Sequence, residues 1–376
     1  MAVSIAARAA TLPRPRVRRL ARPLAPLAFE WAIVATSGWF VAGLYLDGWA
    51  HNTIPSLETF FTPWHGVLYS GFLASLAVLG WAIGRNRATG RTWWQAIPAG
   101  YELSLVGGLL FVASGLADML WHIVFGIEAN VEALLSPTHL SLLLGGTLFL
   151  TGPLRSATRR GAVHPDVQHW SALLPRLLSL SYVLLSLAFF TQYANPWGGP
   201  WLASDYRPLT SEVLTAGGRG LEAVFLFQAL NVAGVLLQSV LLAGVTLVAL
   251  RGGRVPMGGF SLLIGGYVVL TVLMRQKYDA GLQVPLALAG LVAGGSVDLL
   301  YARLRSSLPA AWAVQTFTAL VPAVVTAASV LGVAAAQGVW WTIHLWAGAV
   351  VLAAATGWLV SLVATASVQP RPVPSA

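Results

Sequence analysis

Long apolar runs, separated by short polar or Pro- and Gly-containing segments, dominate the chain from residue 29 onward. A run of about 18 or more apolar residues is long enough, as a helix, to cross the hydrocarbon core of a bilayer. Helices are the expected form because backbone polar groups in lipid must be satisfied within the segment. The predicted spans are 29–50, 63–84, 100–124, 137–154, 170–192, 221–250, 257–275, 281–302, 309–336 and 339–366.

Composition supports the same class. The chain is 57% hydrophobic and 9% charged, whereas a soluble domain carries about 25% charged residues. We therefore predict an all-α polytopic integral membrane protein with about ten transmembrane helices. The absence of cysteine excludes disulfides, thiolate metal sites and cysteine nucleophiles. The lipid bilayer is the expected partner, nucleic acid is not, and partner subunits remain unidentified.

The chain divides into four parts by composition. Residues 1–28 are rich in Arg and Pro and predict a disordered basic cytoplasmic tail. Residues 29–155 form a four-helix unit that carries the candidate chemistry. Residues 156–366 form a six-helix membrane unit with a long outer loop at 193–220, and residues 367–376 form a second tail.

The basic residues predict the orientation in the membrane. With the N-terminus inside, the outer side keeps only four of the 22 Lys and Arg, namely Arg207, Arg219, Arg275 and Lys277. An excess of Lys and Arg in cytoplasmic segments is the usual determinant of topology. Both termini are therefore expected in the cytoplasm, with the protein in the cell membrane. The net charge of +9 follows from this bias.

Helices 1–2 and 3–4 carry an internal repeat. FVAGLYLDGWAH aligns with FVASGLADMLWH at a constant offset of 71, from Phe40 to Phe111. After the loop the offset becomes 74, and the matched pairs are Glu58/Glu132, Thr62/Ser136, Pro63/Pro137 and His65/His139. We predict a duplicated hairpin. Both copies start from the same side of the membrane, so the repeats are parallel about an axis along the membrane normal.

The repeated residues include carboxylates and imidazoles at regular spacing. Asp47 and His51 are four residues apart, as are Asp118 and His122, which places each pair on one helix face. Thr62 or Ser136 is a typical N-cap, followed by Pro at the first helical position. The next repeated residue, His65 or His139, then falls in the first helical turn, where the helix dipole disfavours the imidazolium form.

Each hairpin thus presents Asp, His and His near the outer membrane boundary. The candidate metal ligands are Asp47, His51, His65, Asp118, His122 and His139. Imidazole and carboxylate without sulfur suit copper, zinc or iron. Glu58 and Glu132 precede the caps and are candidate catalytic residues for proton transfer, or further ligands. His344, at the start of the last helix, is a candidate extra ligand on the same side.

The stretch DGWAHNTIPSLETFFTPWH contains Asp-x3-His-x13-His. It resembles the metal triad found in a membrane subunit of the particulate methane and ammonia monooxygenases. The resemblance implies copper ligands at Asp47, His51 and His65. Through the internal repeat it extends to the second set, and it implies an oxidation activity. Copper is therefore the favoured metal.

Three functional classes remain open at this point. The first is a membrane metalloenzyme, either an oxidase or monooxygenase or a metal-dependent hydrolase. The second is a transporter or metal-handling protein, and the third is a b-type haem protein. Neither the metal nor the choice between one dinuclear and two mononuclear sites follows from the sequence. In the second half, Asp298 is expected to pair with Arg303 or Arg305.

The predicted topology has a direct test. We expect reporter domains inserted at residue 55 or residue 130 to lie outside the cytoplasm, because both positions fall in outer loops of the repeat. Fusions after residue 87 or residue 160 are the matched cytoplasmic controls. A cytoplasmic signal from the first two positions would contradict the prediction and the shared location of the six ligands.

Overall fold

A computed structural model describes residues 22–54, 61–126, 131–161, 169–199, 201–204, 218–275, 280–308 and 310–366. Over these ranges the chain is helical, without strands apart from an isolated antiparallel bridge between Ala203 and Val339. Glu58, residues 1–21 and 367–376, and part of the loop at 193–220 lie outside the described residues.

The helices follow the predicted apolar runs. In chain order they are α1 (Leu27–Thr53), α2 (Pro63–Arg87), α3 (Trp93–Ala96), α4 (Glu102–Phe125), α5 (Glu132–Leu135), α6 (Pro137–Leu150), α7 (Gly152–Gly161), α8 (Trp170–Phe190), α9 (Gly218–Arg251), α10 (Gly266–Met274), α11 (Ala280–Leu304), α12 (Ala311–Ala336) and α13 (Ile343–Ala366). In the described ranges, eight of them are long and apolar enough to cross a membrane: α1, α2, α4, α8, α9, α11, α12 and α13. This defines a multi-pass helical membrane protein.

Two of the predicted spans are shorter than expected. Helix α6 has 14 residues, about 21 Å at 1.5 Å per residue, against a hydrocarbon core of about 30 Å. Its apolar part ends where α7 begins, because α7 carries Arg155, Arg159 and Arg160. Helix α10 continues a π-helical turn, Ser261–Gly265, and the two together also have 14 residues.

Glycines let the helices of each hairpin approach closely. A Cβ added to Gly71 on α2 would lie 2.5 Å from the backbone nitrogen of Phe40 on α1. A Cβ added to Gly145 on α6 would lie 2.7 Å from the backbone nitrogen of Phe111 on α4. Small residues at such crossings are typical of membrane helices, whose association depends on close van der Waals packing.

Aromatic rings fill the space between the two hairpins. The ring of Phe72 stacks on that of Phe111 with centroids 4.1 Å apart. Phe40 makes edge contacts with both, at 5.5 Å and 5.3 Å. A Cβ added to Gly146 would lie 3.5 Å from the rings of both Phe40 and Phe111. The four helices therefore share one core.

A buried ion pair joins the arginine-rich ends of these helices. The carboxylate of Glu30 on α1 is 1% exposed. It accepts hydrogen bonds from Arg160 Nη2 at 2.9 Å and from the Tyr101 hydroxyl at 2.8 Å. Along α1, Glu30 and Asp47 are separated by roughly 26 Å of helix rise. The basic cluster and the candidate metal ligands therefore lie at opposite ends of the bundle.

Helix α1 also packs against the second half of the chain. Its Tyr45 hydroxyl donates to the Leu185 carbonyl on α8 at 3.1 Å. A Cβ added to its Gly48 would lie 2.4 Å from the ring of Phe189. Near the C-terminal end of α1, Arg275 donates to the side-chain oxygen of Asn52 at 3.1 Å. The segment that carries the candidate ligands is thus held from both sides.

The predicted pairing of Asp298 is wrong. Its carboxylate instead accepts hydrogen bonds from the backbone nitrogens of Phe260 and Ser261, at 3.1 Å and 2.9 Å, and from the Ser261 hydroxyl at 2.6 Å. Asp298 therefore satisfies the backbone donors at the start of the π-helical turn, groups that a helix leaves without an internal partner. Sequence spacing to the nearest arginines could not indicate this long-range cap.

The Gly71 crossing predicts a stability difference. Changing Gly71 to Ala should lower the free energy of unfolding by about 1–3 kcal/mol, because the added methyl forces the backbones of α1 and α2 apart. Changing Gly80 to Ala on the same helix is the control, since no atom lies within 4 Å of its added Cβ. The control should be neutral or more stable by up to about 1 kcal/mol. Unfolding in detergent measures both, and equal effects would contradict the close crossing.

Candidate metal centre

Three of the predicted ligands meet at the end of the first hairpin that lies opposite Glu30 and Arg160. Asp47 and His51 come from α1 and His65 comes from the first turn of α2. Oδ2 of Asp47 lies 3.8 Å from Nε2 of His51 and 3.3 Å from Nε2 of His65. One ligand atom from each residue lies within 4.8 Å of the other two. We call these residues the first triad.

The second hairpin brings together the other three. Oδ2 of Asp118 lies 3.3 Å from Nε2 of His122 on α4, and Oδ1 lies 3.5 Å from Nδ1 of His139 on α6. Their ligand atoms also lie within 4.8 Å of one another. The two imidazole rings are 5.7 Å apart between centroids, the same separation as in the first triad. We call these residues the second triad.

Local capping places the second histidine of each triad. The Thr62 hydroxyl accepts from the His65 backbone nitrogen at 3.1 Å, and the Ser136 hydroxyl accepts from that of His139 at 3.3 Å. A proline occupies the first helical position after each cap. The predicted caps are thus confirmed. Because each cap defines where its helix begins, it also defines the position of the histidine along the helix axis.

Both triads have spacings that suit a small cation. For a four-coordinate ion with bonds of about 2.0–2.1 Å, ligand atoms lie roughly 3.3–3.4 Å apart. The carboxylate-to-imidazole distances of both triads, 3.3 to 3.8 Å, are close to this value. In the described part of the chain, the buried Oδ1 of Asp47 has no hydrogen-bond partner. A cation would compensate a buried carboxylate oxygen of this kind.

The carboxylate of the second triad has a further partner. Oδ1 of Asp118 accepts a hydrogen bond from the Thr138 hydroxyl at 2.7 Å. The repeat places Trp64, which has no hydroxyl, at the position of Thr138 in the first hairpin. The Ser136 hydroxyl lies 2.7 Å from Nδ1 of His139. The two carboxylates therefore differ, because Asp118 has a hydroxyl donor and Oδ1 of Asp47 has no hydrogen-bond partner in the described residues.

The two triads lie close enough to interact. His51 is within electrostatic range of His122 and His139, and Tyr69 is within range of both carboxylates. A Cβ added to Gly115 on α4 would lie 3.4 Å from the Tyr69 hydroxyl oxygen. Tyr69 on α2 thus points toward the second hairpin, between the two triads. A charge bound by one triad would be felt by the other.

The remaining candidates lie outside these groups. Glu132 begins the short helix α5 and is exposed. Its backbone carbonyl accepts a hydrogen bond from the Ser136 backbone nitrogen at 3.1 Å. His344 is exposed near the start of α13 and belongs to neither group. Glu58 lies outside the described residues.

Two residues near the triads were not predicted. Thr138 lies beside His139 in sequence, and its hydroxyl could have been noted as a donor in the first turn. Tyr69 lies four residues after His65, a spacing that places both on one face of α2. Their rings are 6.3 Å apart between centroids. What could not be inferred is that this face turns toward the second hairpin.

Fold and site together define a multi-pass helical membrane protein that carries two groups of one aspartate and two histidines at one end of its helices. No protein-family model, no curated protein and no solved structure matches the chain.

The caps predict a stability effect that is separable from ligand chemistry. Changing Thr62 to Ala should cost about 0.5–2 kcal/mol of unfolding free energy, because the His65 backbone nitrogen loses its acceptor. Changing Thr62 to Ser keeps the hydroxyl and should stay near wild type. Thermal unfolding in detergent measures the difference. An alanine variant as stable as the serine variant would show that this cap does not hold the start of α2.

Proposed function

We propose that this protein is an integral membrane metalloprotein that binds one metal ion in each triad at the extracytoplasmic membrane boundary. Copper is favoured, and zinc or iron fit the same donors. The observation that carries the proposal is the convergence, in each hairpin, of one carboxylate and two imidazoles to within 4.8 Å. Ionisable groups at helix ends in a membrane are expensive, and they are usually retained for function.

Equivalent contacts support an origin of the two triads in a duplicated hairpin. The glycine crossings, the hydroxyl caps and the ring separations recur in α1–α2 and α4–α6. Positions 71 apart also touch each other, as in Phe40 with Phe111 and Glu30 with Tyr101. A residue meets its own repeat partner only near a two-fold axis. Two such contacts along α1 favour an axis parallel to that helix.

The proposed topology has ten spans. Eight are the helices that are long enough by themselves, and the other two are α6–α7 and α10 with the π-helical turn before it. The buried Glu30–Arg160 pair at one end of the bundle and the triads at the other support an arginine-rich cytoplasmic side. In this orientation both termini are cytoplasmic and the triads face outward. A location in the cell membrane is part of the same proposal.

The proposed reaction is an oxidation or a hydrolysis at the metal. A bound ion would supply Lewis-acid or redox chemistry. The chain's own residues would hold the ion and orient its ligands. Nδ1 of His122 lies 3.4 Å from the Gly126 carbonyl, a contact that leaves Nε2 toward Asp118 and the ion. Glu132, exposed near the second triad, is the candidate for proton transfer, with Glu58 as its counterpart in the repeat.

Two observations favour this class over the alternatives. In each triad the carboxylate lies within 4 Å of both imidazoles, in the space that a haem would need between them. A metal conduit would need ligand groups that continue through the membrane. In the described ranges the groups of three or more His, Asp or Glu are the two triads.

Metal stoichiometry tests the proposal. Wild-type protein reconstituted with Cu(II) should bind two ions per chain, and changing His51 or His122 to Ala should each remove one, because a triad that loses one ligand loses affinity. His344→Ala is the matched control and should retain two. Metal analysis after removal of free copper gives the count. If wild type retains no copper, zinc or iron, the metalloprotein proposal is wrong.

The role of the glutamate has its own test. Changing Glu132 to Gln removes the charge but keeps the size, so two ions should remain bound while any metal-dependent turnover falls. The melting temperature should stay near wild type, since the side chain is exposed. Loss of one ion from this variant would instead make Glu132 a direct ligand. Glu222→Gln, at another exposed outer position, is the control for the change in surface charge.

A further inference from the structure

A cavity adjoins the first triad at the start of α2. Its volume is about 480 Å³, within the usual range of small-molecule sites, about 300–1,000 Å³. The described residues that line it are Phe61, Thr62, Pro63, His65, Gly66 and Tyr69. His65 belongs both to the cavity wall and to the triad, so an occupant of the cavity would lie beside the bound ion.

The cavity depends on residues that differ between the two hairpins. Gly66 is exposed, and no atom lies within 4 Å of a Cβ added to it. The repeat places Leu140, which has a branched side chain, at the corresponding position. Tyr69 corresponds to Leu143. The first hairpin therefore offers space and a hydroxyl where the second has two leucines.

The lining indicates what kind of molecule fits. Phe61, Pro63 and the ring of Tyr69 are apolar. The polar groups include the Tyr69 hydroxyl and the His65 imidazole, whereas the Thr62 hydroxyl caps α2. A mostly apolar wall with few polar groups is typical of sites for small ligands. Phe61 is 79% exposed, so the cavity can be reached from outside the bundle.

The carboxylates of the two triads also differ in their hydrogen bonding. Asp118 is hydrogen-bonded by Thr138, whereas Oδ1 of Asp47 is buried without a hydrogen-bond partner in the described part of the chain. An ion in the first triad would therefore meet the less satisfied carboxylate, next to a cavity. An ion in the second would meet a carboxylate that is already engaged, next to Leu140.

We propose that the two triads have different roles, and that the first is the substrate site. Its cavity takes a small molecule with an apolar body and a polar group, which lies beside His65 with the polar group toward the ion. In this proposal the second triad, with Leu140 and Leu143 at the corresponding positions, holds its ion and takes no substrate. This inference rests on the proposed metal binding and adds a substrate class and a functional asymmetry to it.

A pair of probes tests the cavity. Imidazole and 4-phenylimidazole offer the same nitrogen donor to Cu(II), but only the second carries an apolar ring that needs the cavity. In copper-loaded wild type, 4-phenylimidazole should bind at one of the two ions roughly 10- to 100-fold more tightly than imidazole, since burial of an aromatic ring contributes that much affinity. Titration followed by electron paramagnetic resonance resolves the two ions.

Filling the cavity should abolish this preference. Gly66→Leu introduces the side chain that the second hairpin carries, so the affinity ratio of the two probes should fall to about one. Two coppers and imidazole binding should persist, because no ligand is changed. Gly66→Ala, a smaller step, should give an intermediate ratio. Gly80→Leu is the matched control on the open face of α2 and should keep the wild-type ratio.

The outcomes separate the two proposals. If wild type binds no copper, metal binding and this inference both fail. If two coppers bind but the phenyl group gives no advantage, or an equal advantage at both ions, only the asymmetry and the substrate cavity are overturned. A preference that survives in both Gly66 variants would also overturn the assignment of the cavity.

Discussion

Each triad depends on the close approach of two helices at glycines. At Gly71 the backbones of α1 and α2 meet beside Phe40. From Phe40 to Asp47 the rise along α1 is about 10 Å, and from Gly71 back to His65 the rise along α2 is about 9 Å. The carboxylate and the imidazole therefore arrive at the same height. The second hairpin repeats these intervals from Phe111 and Gly145, so its ligands meet in the same way.

The cost of charge in a membrane explains how the ionisable groups are distributed. Glu30 is neutralised by Arg160, and Asp298 accepts hydrogen bonds from two backbone amides and a hydroxyl. The carboxylates of the triads have imidazoles beside them, which carry positive charge only when protonated. A cation bound in each triad would supply positive charge to Asp47 or Asp118. The imidazole lone pairs would coordinate the same ion. Metal binding is therefore the use that we propose for this end of the helices.

The two hairpins differ in the first two turns of α2 and α6, next to the shared histidine. The sequence of cap, proline and histidine recurs in both copies. Trp64, Gly66 and Tyr69 in the first copy correspond in sequence to Thr138, Leu140 and Leu143 in the second. The first copy has a cavity beside its histidine, and Oδ1 of its aspartate has no hydrogen-bond partner in the described part of the chain. In the second copy the Thr138 hydroxyl donates to the aspartate. We interpret this as two sites with a common scaffold and separate roles.

The sequence by itself determined the helical membrane class, most helix boundaries, the caps at Thr62 and Ser136, and the shared helix face of each Asp–His pair. All of these depend on apolar length and on residues within one or two turns of each other. The cap that Asp298 provides, the bond from Thr138 to Asp118 and the position of Tyr69 beside the second hairpin were decided by the tertiary structure. They depend on which faces of different helices meet, and hydropathy and local spacing carry no information about that.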